Sequence, residues 1–193
     1  MAGGASWQGD AVDWDEQLFA FLDDLEQQAQ ALYEADRASE LADRSRSEYA
    51  AVTLVSRLMA SVDQDVSLDV LGIGAVAGRL RRVGPDWCLV HGAAQDWVVR
   101  LGALRAVEGA SARSVPEVAW SPVGRLGLGS ALRRLADTAA ACRVHTLDGT
   151  VYDGRLARVG ADFAELALGE GSAREGRHVL VARETLAAVQ SRD

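Results

Sequence analysis

Two Cys-x-x-His runs, Cys88-Leu-Val-His91 and Cys142-Arg-Val-His145, carry the residue types that could hold a transition metal. Thiolate and imidazole are common zinc donors, and one such pair would supply half of a tetrahedral site. Both runs fall within segments patterned as strands, where residues three apart point to opposite faces. Neither pair can then close on one ion, so core cysteines and edge histidines are expected, with no metal and no cofactor. Gly72-Ile-Gly-Ala-Val-Ala-Gly78 follows a strand-like run and offers glycines for a phosphate loop. Its spacing is not Gly-x-Gly-x-x-Gly and no helix pattern follows, which removes the dinucleotide reading. The three histidines lie beside no nucleophile elbow and no lone-cysteine signature, so a non-enzymatic protein is expected.

What remains is a set of arginines inside a duplicated stretch. Residues 78–86 read Gly-Arg-Leu-Arg-Arg-Val-Gly-Pro-Asp and residues 154–162 read Gly-Arg-Leu-Ala-Arg-Val-Gly-Ala-Asp, identical at seven of nine positions and each followed by an aromatic, Trp87 or Phe163. A fixed offset without gaps marks an internal repeat. Arg79, Arg81, Arg82, Arg155 and Arg158, with Trp87 and Trp97 as stacking platforms, form a candidate nucleic-acid surface for RNA or DNA. The competing assignment has the same arginines neutralising Asp86 and Asp162 and covering the fold with their stems.

Charge is distributed unevenly. Residues 1–62 hold 12 acids and 4 arginines, a net of −8, whereas residues 63–193 hold 16 of each; there is no lysine. The acidic segment would repel phosphate and is not a nucleic-acid footprint. With two cysteines in 193 residues no disulfide framework is expected. No apolar run approaches the roughly 18 residues of a membrane span, and the first residues lack the basic start and apolar stretch of a secretory signal. Together these predict a cytoplasmic protein.

The elements that must position these residues follow from periodicity. Residues 1–12 are small and polar and are expected to be a disordered N-terminus. Asp13 and Glu16 resemble a capping box, after which Trp14, Leu18, Phe21, Leu22 and Leu25 begin an apolar stripe. Neither Pro nor Gly interrupts residues 12–62, which predicts an acidic helical arm over 13–62, as one long helix or two joined by a kink. Its stripe is a candidate interface for a homodimer, a higher oligomer or a protein partner. Short alternating runs from Val66 to Val107 predict five strands over 63–108. A Pro- and Ser-containing linker spans 109–129, and Ser130 is placed to cap a short helix. Five further strands then end at Val189, with Asp148-Gly149 as a hairpin turn.

A helix followed by five strands with Asp148-Gly149, Gly154, Leu156, Asp162 and the closing Leu186-Ala-Ala-Val-Gln-Ser191 resembles the Sm-like fold, which includes bacterial Hfq. The resemblance is clearest over 130–191 and weaker over 49–109, where Gly72-Ile73-Gly74 replaces the Asp-Gly turn. It implies an α+β protein: a long N-terminal helix, then two small five-stranded Sm-like or SH3-like β-barrels, the second (130–193) preceded by a short helix. It also implies RNA binding and gene regulation. The aromatic–Lys–His run of Hfq would fall at residues 182–184, where this chain has Ala182-Arg183-Glu184, with Arg100-Leu101-Gly102 in the first copy. The layout is also similar to an actinobacterial family sometimes labelled Fis-like regulators, although no helix-turn-helix pattern is present. The expectation is therefore a regulatory protein that binds nucleic acid, or else a scaffold that binds protein through its acidic helix and exposed strand edges.

Overall fold

The computed structural model describes residues 14–169 and 176–192, and no side chains at 14–17 and 35. The expected disordered terminus, the Asp13 cap, the side chain of Trp14 and the tip of the loop after Gly169 lie outside what is described. The chain divides into two compact units, residues 1–51 and 52–193.

The first unit is helix α1, Trp14–Ala50. At 1.5 Å per residue its 37 residues span about 55 Å. Of the two helical alternatives the chain adopts the interrupted one. Thr53 takes an extended conformation and caps a separate helix α2, Leu54–Met59. The Ser56 amide donates to Thr53 Oγ1 and the Thr53 amide to Ser56 Oγ, a reciprocal box that starts α2.

The second unit is built on ten strands: β1 (Asp65–Val70), β2 (Gly74–Val83), β3 (Trp87–His91), β4 (Asp96–Arg100), β5 (Leu104–Glu108), β6 (Ala141–Thr146), β7 (Val151–Val159), β8 (Phe163–Leu168), β9 (His178–Ala182) and β10 (Leu186–Ser191). Helix α3, Leu128–Thr138, precedes β6. The expected pair of closed five-stranded barrels is not what forms. All ten strands join one open antiparallel sheet in the order β5-β1-β2-β3-β4-β10-β6-β7-β8-β9. The overturning contact is β4 against β10, with Val99 opposite Ala188, Val98 opposite Val189 and Trp97 opposite Gln190. The physical reason is edge satisfaction: each repeat leaves a strand with an unpaired row of amides and carbonyls, and those two rows pair with each other. The mixed α+β character stands.

Each half of the sheet keeps its own core. The first gathers Leu58 of α2 with Leu68, Val70, Leu80, Val90 and Val99. The second gathers Leu128 and Leu132 of α3 with Val144, Leu156, Leu166 and Leu186. At the seam, alternate residues serve opposite cores: Val99 and Ala188 face the first, Val98 and Val189 the second. The α3 start also differs from expectation. Its N-cap is Gly127 rather than Ser130, and Asp86, 42 residues upstream, accepts from the Leu128 amide at 2.7 Å.

Candidate functional site

The duplicated stretch resolves into three structural devices, each present twice. Its first glycine lies where two strands come too close for a side chain. A Cβ on Gly78 would sit 2.3 Å from the His91 carbonyl oxygen, and one on Gly154 would sit 2.2 Å from that of Ala167. Its second glycine makes room for the following aromatic: a Cβ on Gly84 would meet Trp87 Nε1 at 2.2 Å and one on Gly160 would meet Phe163 Cε1 at 2.4 Å. The turn closes through the Gly84 amide to the Trp87 carbonyl at 2.8 Å and the Gly160 amide to the Phe163 carbonyl at 2.9 Å. Its aspartate supplies a backbone carbonyl, Asp86 to the Leu101 amide at 2.9 Å and Asp162 to the Arg183 amide at 2.7 Å. Both copies carry a bulge in the same place, between Leu80 and Arg82 and between Leu156 and Arg158.

The arginines of the stretch separate by environment. Arg81 pairs with Asp63 at 2.6 Å. Arg158 makes two bonds to Glu165, at 2.8 and 3.2 Å, and His178 Nδ1 lies 2.7 Å from the same carboxylate. Those two partners hold the Glu165 carboxyl below its ordinary value, Arg158 contributing most. Arg79, Arg82 and Arg155 are exposed; among the described residues no ion pair engages them. Asp86 and Asp162, which the neutralisation reading assigned to these arginines, are instead turn and cap residues. Trp87 is buried and its indole N–H donates to the Leu126 carbonyl at 2.8 Å. Trp97 packs on the first core, its ring centroid 5.4 Å from that of His145.

The Cys-x-x-His residues also part company. Cys88 is fully buried, and burial pushes its thiol pKa up to about 12. His91 is exposed against Asp96. In the second pair the expected edge histidine is not found: His145 is buried like Cys142, because β6 is an inner strand and its second face is covered as well. Burial raises the Cys142 thiol and lowers the His145 imidazole, whose Nε2 lies 3.0 Å from Gln190 Oε1. Gly72 has a left-handed backbone, φ +79°, and packs on the second repeat's turn: a Cβ there would sit 2.5 Å from the Thr146 carbonyl oxygen. The glycine-rich run is thus a turn seated on another turn.

Sequence reasoning missed the arrangement that the topology makes plain. The β4–β10 seam uses the fourth strand of one repeat and the fifth of the other, so their equivalents, β9 and β5, are left at the two ends of the sheet. Val99 and Val107 of the first repeat match Val181 and Val189 of the second, at one constant offset. By that offset Leu180 is the counterpart of Val98. Val98 is 7% exposed within the seam, whereas Leu180 is 63% exposed on the open edge. Beside β5 lies a hollow of about 350 Å³ lined by Leu54, Arg57 and residues 104–107. Within α1, Leu18, Phe21, Leu22 and Leu25 are also exposed, along with Phe19.

Among the described residues no helix is long and apolar enough to cross a membrane. Compared with known proteins, the chain matches no protein-family model and no curated sequence.

Proposed function

We propose that this chain is a non-enzymatic, cytoplasmic scaffold whose sheet adds to the sheet of a second copy, head to tail. The observation that carries the reading is the internal seam. Two like half-sheets already meet through β4 and β10, and the same two strand types stand open as β9 and β5. Transferring the seam's register pairs Val181 with Ala106, Leu180 with Val107 and Val179 with Glu108. Leu180 would then enter the hollow beside β5, against Leu54, which is itself exposed. Open edges are a template for pairing with another chain, and a heterologous contact of this kind builds rings or filaments rather than a two-fold dimer. The apolar stripe of α1 supports the same class of function, since it offers a second face for a helical partner.

Cysteine cross-linking tests the register on the full chain, because the two native thiols are buried. The V107C/L180C double variant should oxidise to a ladder of covalent oligomers, and neither single variant should. A cross-linked dimer from L180C alone would mean a two-fold contact and defeat the head-to-tail reading. So would a monomer in sedimentation at every concentration.

A second reading, RNA or DNA binding in a regulatory role, is favoured by Arg79 and Arg155, which are exposed at equivalent positions of the two repeats and have no ion pair among the described residues. Titration with short RNA and DNA at two salt concentrations checks it: binding that weakens steeply with salt supports it, and none at low salt removes it.

A further inference from the structure

The junction between the two repeats holds a half-open cavity of about 460 Å³, within the roughly 300–1,000 Å³ range of small-molecule sites. Six strands (β2, β3, β4, β6, β7 and β10), helix α3 and the linker before it line the cavity. Leu89 and Val98 come from the first half of the sheet, Leu156 and Val189 from the second, Leu135 from α3 and Leu126 from the linker. The first repeat has no helix of this kind to raise such a wall, because α2 has only six residues against eleven in α3.

The polar groups on this lining are unequal in sign. Arg82 and Arg134 both line the cavity, and among the described residues neither donates to a carboxylate. One acid, Asp96, shares the lining. Its Oδ1 lies against His91 Nδ1 yet is buried without a hydrogen bond. Two guanidinium groups against one carboxylate leave one positive charge beside an apolar surface. Guanidinium is a rigid multi-donor fork that suits a carboxylate, and apolar walls of this extent favour an apolar body.

We propose that this cavity binds an amphipathic monoanion, an alkyl or aryl carboxylate, with its apolar body between α3 and the β4–β10 seam and its carboxylate on Arg82 and Arg134. The proposal is independent of head-to-tail assembly, which uses the outer edges of the sheet.

Calorimetric titration of the full chain with octanoate, and with 1-octanol as its uncharged homologue, tests it. Octanoate should bind saturably, one per chain. The exposed pair changed together, R82Q/R134Q, should weaken octanoate by about tenfold or more and leave octanol within about twofold. A131F, which places a ring inside the cavity from α3, should abolish both. No saturable octanoate binding by the native chain would overturn the proposal. So would unchanged octanoate affinity in the arginine variant, equal loss of octanol there, or octanoate binding that survives A131F.

Discussion

Substituting the repeated glycines tests both the duplication and the continuity of the sheet. In G78A the new methyl would lie 2.3 Å from the His91 carbonyl oxygen, and in G154A it would lie 2.2 Å from that of Ala167. Ordinary contact begins near 3.4 Å, so β2 and β3, or β7 and β8, must separate by about 1 Å. The obstacle is backbone on a paired neighbour and cannot rotate aside as a side chain would. Overpacking of this kind costs about 1–3 kcal/mol, and the upper half applies because ladder hydrogen bonds stretch with the strands. For a unit of this size each kcal/mol lowers Tm by about 2–4 °C, so either variant should melt roughly 4–12 °C below the native protein. The control is G124A, whose methyl would meet Met59 Cε and Ser121 Oγ at 3.4 Å and should be neutral within about 0.5 kcal/mol. Differential scanning calorimetry reads all three. Because the two halves share a seam, each variant should shift one common transition of residues 52–193. A Tm within about a degree of native for both would refute the close-approach argument. Two transitions, each answering to one glycine only, would refute the single cooperative sheet.

Three other outcomes follow from individual residues. Ala139 ends α3 in a left-handed conformation, φ 49°, where a side chain is strained and glycine is not; A139G should raise stability by about 0.5–1 kcal/mol in urea unfolding, and a loss would contradict the cap geometry. The Cys88 thiol, raised to about 12, is roughly one part in ten thousand thiolate at pH 8, so labelling of both thiols by a disulfide reagent should track global unfolding, and prompt labelling of the folded chain would refute it. His145 is held neutral by burial, its pKa below 6.5. The unfolded chain therefore binds more protons as pH falls through 6.5, and stability declines there. H145Q should flatten that decline relative to the native protein in denaturant titrations from neutral pH downward, and parallel curves would exclude the assignment.

The local devices were legible in the residues themselves. Alternation and turn chemistry marked all ten strands, and the Gly-Arg-Leu-x-Arg-Val-Gly-x-Asp duplication marked the two halves, because side-chain period and glycine demand are properties of a few neighbouring residues. The opposite-face argument for Cys88 and His91 rests on the same local fact, and the strand places one inside and one outside. The break at Thr53 was readable only as a possible kink, since its capping box uses Ser56 in place of the usual Glu or Gln.

Partner choice between distant segments was not legible. Periodicity says which face of a strand is apolar, and says nothing about which strand lies alongside. Strands β4 and β10 could each have closed their own half; instead they met across 95 residues of chain, with the Asp96 amide donating to Ser191 Oγ at 2.9 Å. The capping of α3 by Asp86, 42 residues upstream, and the placing of Arg82 beside an apolar cavity likewise depend on contacts between distant segments. Residue types and local spacing determined the strands, the turns and the repeat in this protein. The tertiary structure decided that two half-sheets became one, because the free energy of an unpaired edge is set by whatever strand is close enough to satisfy it.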